Sequence, residues 1–303
     1  MPLNKYIQEK TYTSLIRLIR PEQWIKNLFI FFPLFFNGQI LNLDLFLQCL
    51  FSFFSFSFIA SSIYCFNDIY DVEADKKHPK KCKRPIAAGN ISIKSAYLMM
   101  LICIIVSMLL LLTLNIHNKI NVLFLLLFYF VMNIMYCIKL KQFAIIDVVI
   151  ISIGFVLRVI LGGITTEIWL SEWIIMMTFL MALFLAFAKR RDDVILYQHK
   201  GELPRKNTNR YNIEFMNQVM TILSTVTIIT YIMYTLSPAV INRFNSRNIY
   251  LTTVFVLIGI IRYLQLTIVD LKSENPTTIL LKDKFIQICI IGWITSFLVI
   301  IYL

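Results

Sequence analysis

Phe51-Ser52-Phe53-Phe54-Ser55-Phe56-Ser57-Phe58-Ile59-Ala60-Ser61-Ser62-Ile63-Tyr64-Cys65-Phe66 runs without a charge straight into Asn67-Asp68-Ile69-Tyr70-Asp71-Val72-Glu73-Ala74-Asp75. The apolar part extends over 45–66. As a helix that is long enough to cross the roughly 30 Å hydrocarbon core of a bilayer. The same character continues along the whole chain. Of its 303 residues, 58% are hydrophobic and 15% charged, Phe alone accounts for 25, and mean hydropathy is +0.74. A water-soluble globule cannot hide so much apolar surface. The composition therefore excludes soluble, disordered and secreted disulfide-rich classes, and predicts an all-α polytopic membrane protein.

Apolar runs of spanning length are expected at 25–41, 45–66, 94–114, 120–138, 144–164, 171–188, 216–236, 249–268 and 285–303. That makes nine spans, the first short and interrupted by Pro33. No soluble domain fits between them, so residues 1–303 are expected to form a single integral-membrane domain. With the N-terminus in the cytoplasm, 24 of the 29 Lys and Arg residues fall on the cytoplasmic side. The opposite side then holds Lys119, Arg243 and Arg247, with Arg158 and Arg262 inside spans. The positive-inside bias thus fixes the orientation. It also accounts for the net charge of +12, which falls between apolar runs, where anionic lipids or substrates lie, and calls for no nucleic acid. The six cysteines form no CxxC pair, and the three histidines are scattered, so neither suggests a metal site.

The two longest connections, 67–93 and 189–215, fall on the cytoplasmic face and hold the densest charge. In the first, helical geometry places Asn67, Asp68, Asp71 and Asp75 within about 100° of one another, with Glu73 on the other side. Three carboxylates so close together repel unless a cation sits among them, and hard oxygen donors suit Mg²⁺ with a substrate phosphate. The bland alternative is a solvated acidic cap. It is disfavoured because acids oppose the dipole at a helix C-terminus. Lys76 to Lys81 are explained by topology alone. Arg84 stands apart, because it precedes Pro85 in a small-residue turn ending at Gly89 and can grip phosphate bidentately.

Asn67-Asp68-x-x-Asp71-x-x-x-Asp75 followed by Arg84-Pro85-Ile86-Ala87-Ala88-Gly89 resembles the first aspartate-rich motif of the UbiA prenyltransferase superfamily. The resemblance implies a nine-helix bundle in the cytoplasmic (inner) membrane, with a cytoplasm-facing cavity for a Mg²⁺–diphosphate substrate. Members that move an isoprenoid chain carry a second motif, with acids spaced by four, after the sixth span. Here that stretch reads Ala188-Lys189-Arg190-Arg191-Asp192-Asp193-Val194-Ile195-Leu196-Tyr197, and neither acid has a four-spaced partner. This departure resembles the branch that transfers a 5-phosphoribosyl group from phosphoribosyl diphosphate to a polyprenyl phosphate. Further similar segments are Arg20-Pro21-Glu22-Gln23-Trp24-Ile25-Lys26-Asn27, Tyr136 to Lys141, Leu157 to Gly163, Arg262-Tyr263 and Asn275-Pro276.

The resemblance implies a Mg²⁺-dependent transferase with Asp68, Asp71 and Asp75 as catalytic residues. Asn67, Asp68, Asp71 and Asp75 would hold the metal. Lys26, Asn67, Lys83, Arg84, Tyr136, Lys141, Lys189 and Arg190 would contact substrate. Each cation also has a plainer reading, as a headgroup anchor or a helix C-terminal charge, and Tyr136 as an interfacial belt residue. Asp147 and Arg158 lie about 16 Å apart along one helix and cannot pair with each other. The runner-up is an ordinary prenyltransferase using a prenyl diphosphate and an aromatic or other acceptor. A transporter is disfavoured, since the charges gather at one face and the spans hold few ionisable groups.

Overall fold

The structure is a computed structural model that describes residues 12–78, 81–114, 119–200, 207–271, 279 and 282–302. Lys5, Lys10, Lys80, Lys272 and the Asn275-Pro276 pair lie outside the described residues. Everything regular among those described is helical. The helices are α1 (12–19), α2 (Phe32–Phe36), α3 (Leu43–Tyr70), α4 (Val72–Lys76), α5 (Ile93–Thr113), α6 (Lys119–Ile138), α7 (Ile146–Thr166), α8 (Glu172–Lys200), α9 (Ile213–Leu236), α10 (Pro238–Phe244), α11 (Thr253–Ile268) and α12 (Lys284–Tyr302).

Seven segments are long and apolar enough to cross a membrane: Leu43–Tyr70, Ile93–Thr113, Lys119–Ile138, Ile146–Thr166, Glu172–Gln198, Ile213–Leu236 and Asn248–Ile268. They match seven of the nine expected spans. The ninth is the shorter apolar α12. The first departs from expectation. Pro21–Phe31 is a 3₁₀ helix, which passes into α2 with Pro33 in its first turn. Proline lacks the N–H that would continue an α-helix through this point. At about 2.0 Å of rise per 3₁₀ residue and 1.5 Å per α residue, Pro21–Phe36 is still about 30 Å long.

The chain divides into two compact units. One is Met1–Lys141 with Leu157–Leu170, the other Gln142–Val156 with Ser171–Leu303. In the first, α3 is the hub, and its buried residues include five serines set among Phe56, Ile59 and Ile63. Ser61 accepts from Trp24 Nε1 at 3.0 Å, and Ser57 accepts from Asn27 Nδ2 at 2.8 Å. Ser55 meets Ser107 at 2.9 Å, and Ser52 meets Thr165 at 2.9 Å. In lipid no hydrophobic force drives helices together, so small residues that allow close approach and hydroxyls that bond across helices supply the adhesion. Three-residue turns align Trp24, Asn27 and Ile30 along one edge of the 3₁₀ helix, and this edge faces the serines. Gly162 on α7 packs so tightly that a Cβ there would lie 2.0 Å from the Ile30 carbonyl oxygen. Arg158, on the same helix, donates to Asn27 Oδ1 at 2.7 Å and Tyr129 Oη at 3.3 Å, and lies over the Phe56 ring.

The second unit has a conventional apolar core. It includes Val148, Phe184, Phe187, Val194, Met216, Met220, Leu223 and Tyr263. Arg191 ties α8 to its neighbours, donating to Asn217 Oδ1 and the Thr267 carbonyl, both at 2.7 Å. Trp293 donates to Tyr231 Oη at 2.7 Å.

Candidate active site

The acidic stretch begins in the last turn of α3, breaks for one residue at Asp71, and resumes in α4. The break does not disturb the helical spacing. Asp71 N donates to the Asn67 carbonyl at 2.9 Å and Asp75 N to the Asp71 carbonyl at 2.8 Å. The acids therefore stack along one side, as their spacing requires. Asp68 and Asp75 are each 2% exposed, whereas the Glu73 side chain is 76% exposed and paired with Lys76 at 2.7 Å. That ammonium holds the Glu73 carboxyl below its ordinary range. Burial pushes the Asp75 carboxyl up, against the opposing pull of Arg84.

Three cations meet these carboxylates. Arg84 Nη1 donates to Asp68 Oδ1 at 3.1 Å and to Asp75 Oδ2 at 2.7 Å. Arg20 Nη2 donates to the same Asp68 Oδ1. Lys141 Nζ lies 2.7 Å from both oxygens of Asp71. Aromatic faces steady two of the cations: Arg20 lies over Tyr64 at 5.0 Å, and Lys141 over Tyr70 at 5.5 Å.

Local backbone chemistry aims both arginines. Arg84 opens a turn in which Ala88 N bonds the Arg84 carbonyl at 2.8 Å, and Gly89 closes it at φ 74°, where glycine carries no steric penalty. Arg20 caps the 3₁₀ helix in the left-handed region, φ 51° and ψ 63°, directly before Pro21. A β-carbon and a following proline both disfavour that conformation, and such strain costs on the order of 1–3 kcal/mol.

The other expected residues are distributed as follows. Asn67 is half-buried in the last turn of α3, Lys26 half-buried on the 3₁₀ helix, and Tyr136 half-buried near the end of α6. Lys83 is exposed at the end of a short 3₁₀ turn, Lys81–Lys83. On α8, two consecutive cations part company. Lys189 is exposed, but Arg190 is 2% exposed, with Nε 2.6 Å from Asp147 Oδ2 and Nη1 3.0 Å from Asp193 Oδ2. Arg190 is thus committed to two carboxylates, which weakens the expectation that it grips a phosphate. Asp147, which could not reach Arg158 along its own helix, has Arg190 instead. Beside it, Ile145 is held at φ 69° and donates its N–H to Tyr211 Oη at 2.5 Å.

A model of the UbiA prenyltransferase family matches residues 28–281, most of the chain and all of the acidic stretch. The chain belongs to the UbiA prenyltransferase family. Among curated relatives, the decaprenyl-phosphate phosphoribosyltransferase of Mycolicibacterium smegmatis is 31% identical, over 96% of this chain and 93% of that protein. The protein of the same name from Corynebacterium glutamicum is 29% identical, over 96% and 87%. A UbiA homologue from Archaeoglobus fulgidus, solved bound to DMAPP and Mg²⁺, superposes with a TM-score of 0.68. It covers 95% of this chain and 99% of its own at 18% identity, a likeness of fold. With its seven long apolar helices, this UbiA family member is an integral membrane protein.

Among the described residues, no three His, Cys, Asp or Glu side chains gather closely enough to cage an ion. Cations stand on the carboxylates instead. The donor set nevertheless suits a hard divalent ion: three carboxylates line one helical face, and Asp68 Oδ2 is buried without a hydrogen-bond partner. A buried carboxylate oxygen left in that state is costly.

Reading the residues alone overlooked Arg20 as a member of the cluster, although its signal was present. Arg20-Pro21 repeats the Arg84-Pro85 pairing that singled out Arg84. The Asp147–Arg190 pair had no such signal, since 43 residues separate its partners.

Proposed function

We propose that this UbiA family member transfers the 5-phosphoribosyl group from phosphoribosyl diphosphate to a polyprenyl phosphate, releasing diphosphate. The observation that carries this reading is the similarity to the Mycolicibacterium smegmatis decaprenyl-phosphate phosphoribosyltransferase along nearly the full length of both chains. The residues of α8 support it. The positions four residues either side of Asp192 and Asp193 are Ala188, Lys189, Leu196 and Tyr197, so no second four-spaced acidic pair is present to hold another metal–diphosphate.

In this reading the C1–O bond to diphosphate breaks and a bond from C1 to an oxygen of the lipid phosphate forms. The ribosyl centre passes through oxocarbenium character. The acceptor phosphate is already ionised at neutral pH, so no general base is required. Arg84 supplies charge-assisted hydrogen bonds to the departing diphosphate, with Lys83, Lys26 and Lys141 adding positive charge around it. Asp68, Asp71 and Asp75, with Asn67, would hold Mg²⁺, which neutralises the leaving group when bound. Lys189, exposed on α8, contacts a donor phosphate. The reading includes nine spans, with Pro21–Phe36 as the first and α12 as the last. It also includes one catalytic domain over 1–303, a cytoplasmic N-terminus, and an acidic cluster facing the cytoplasm from the inner membrane.

The test is a membrane assay with labelled donors and a polyprenyl phosphate acceptor. Label from phosphoribosyl diphosphate should enter the lipid only with Mg²⁺ present. Consumption of a prenyl diphosphate in preference would establish ordinary prenyl transfer instead.

A further inference from the structure

Pro21–Phe31 winds with three residues to a turn, so side chains three apart stand in straight columns. On an α-helix each such step would rotate by about 60° and the columns would spiral. The three columns differ in surroundings. Trp24, Asn27 and Ile30 form the inner edge against α3, while Glu22, Ile25 and Leu28 are exposed. The third column, Gln23, Lys26, Phe29 and Phe32, is half-buried at every position. It begins polar and cationic and turns aromatic. Phe29 stacks on Phe32 with ring centroids 4.4 Å apart and planes 29° from parallel, and Phe32 meets Phe36 edge-on at 5.8 Å. From Lys26 to Phe36 the column is about 18 Å long, at about 2.0 Å per 3₁₀ residue and 1.5 Å per α residue. That is more than half of a hydrocarbon core about 30 Å thick.

A column of this kind fits a molecule with an anion at one end and one long apolar chain behind it. An ammonium near the membrane surface attracts a lipid phosphate. Flat aromatic faces give a large apolar area to the double bonds and methyl groups of an isoprenoid. One straight column offers a bed for a single chain, whereas a spiralling one would carry that chain around the helix and away from its own head.

We propose that this column seats the polyprenyl phosphate acceptor, with Gln23 and Lys26 at its phosphate and Phe29, Phe32 and Phe36 along its first isoprene units. The proposal rests on the acceptor named above and adds the residues that hold it. Lys26 has a place in the reaction already, as positive charge near the departing diphosphate. The attacking lipid phosphate must approach the same ribosyl carbon, so one ammonium serves both anions. The 3₁₀ winding then has a use, because it keeps the aromatic bed in line with the cation.

The test uses the purified full-length protein in lipid nanodiscs and a polyprenyl phosphate carrying a diazirine in its first isoprene units. Crosslinks should fall on residues 29–36. Unlabelled polyprenyl phosphate should displace the probe, and uncharged polyprenol or phosphatidylglycerol should do so far less. In the transfer assay Phe29→Ala and Phe32→Ala should each raise the acceptor KM roughly tenfold, the low end for a lost apolar contact with substrate. Phe29→Leu and Phe32→Leu, which keep bulk but lose the flat face, should recover part of this. The donor KM should hold in all four. Leu28→Ala, in the exposed column of the same helix, should leave the acceptor KM unchanged. An acceptor of two isoprene units should be less sensitive to Phe36→Ala than a long one. Crosslinks outside residues 21–36, or equal displacement by phosphatidylglycerol, would overturn the seat. So would an acceptor KM that moves no more in the Phe variants than in Leu28→Ala. If crosslinking follows expectation but no phosphoribosyl label reaches the lipid, the seat stands and the proposed reaction falls. If label is transferred while crosslinks fall elsewhere, the reaction stands and the seat falls.

Discussion

The ends of α3 and α8 use the same residue types to opposite effect. At α3 an aspartate face meets arginines that are a fifth to a quarter exposed. At α8 the pair Arg190–Asp147 is 2% and 0% exposed, and Arg190 bridges to a second acid. Charges that water can reach are able to exchange partners. Charges sealed from water are fixed, because separating them leaves an uncompensated ion in a low-dielectric interior. Accessibility, more than composition, distinguishes the ligand site from the structural staple.

The contrast breaks most severely if the α8 pair proves dispensable. Arg190→Met should cost about 3–5 kcal/mol of stability, as expected when one partner of a buried ion pair is removed. Thermal unfolding in detergent would read this as a large fall in Tm, and Asp147→Asn should behave similarly. Next in size, Asp68→Asn or Asp71→Asn should lower kcat/KM for phosphoribosyl transfer by roughly 10²–10³-fold, the range for losing one charge-stabilising group. Membrane insertion should be unaffected, as judged by expression and protease protection. Lys189→Ala, on the exposed side of α8, should raise the donor KM roughly tenfold, the loss of one charge-assisted contact. The acceptor KM and the Tm should stay put, which separates Lys189 from its neighbour Arg190.

A smaller effect should appear at Asp75. Burial raises its carboxyl pKa in the folded protein. Its contribution to stability is therefore greatest at pH values below the unfolded pKa and is lost as pH rises through the folded value. Asp75→Asn should raise Tm at pH 7, with the gain shrinking as the sample is acidified and activity lost throughout. Smallest of all, Glu73→Gln should change neither activity nor Tm measurably, since Glu73 points away from the cluster and pairs only with an exposed lysine. If Glu73→Gln inactivated the protein as fully as Asp71→Asn, the one-face arrangement would be wrong.

Much of the molecule is legible in its sequence because the bilayer imposes a length on each apolar run. Six of the seven long spans sit within a few residues of their expected bounds for that reason, whereas the α8 span continues to Gln198, well past the expected end at 188. The acidic face is legible because the helical spacing survives the interruption at Asp71. What escapes is whatever depends on irregular backbone or on distant partners. No periodicity announces that Pro21–Phe31 winds as a 3₁₀ helix, or that Arg20 adopts a left-handed conformation. Trp24 shows the same limit. From its place near a span end it reads as an interfacial anchor, yet it is turned inward to Ser61 and packs edge-on against Phe58. Arg190 and Lys189 are adjacent letters of equal charge, and only the fold shows that one is buried and the other is not.

The serine face of α3 has a consequence for how the chain is made. Ser57 and Ser61 find partners in Asn27 and Trp24, which are synthesised before them. Ser55 must wait for Ser107, and Ser52 for Thr165, 113 residues downstream. At ordinary synthesis rates of about 5–20 residues per second, that wait lasts on the order of 6–23 s. Meanwhile the hydroxyl of Ser52 must bond within its own helix or face lipid. The first unit therefore cannot be finished until the ribosome has passed Gln142–Val156, a segment that belongs to the second. Folding intermediates trapped on stalled ribosomes before residue 165 should hold α3 and α5 together and still lack the Ser52–Thr165 contact.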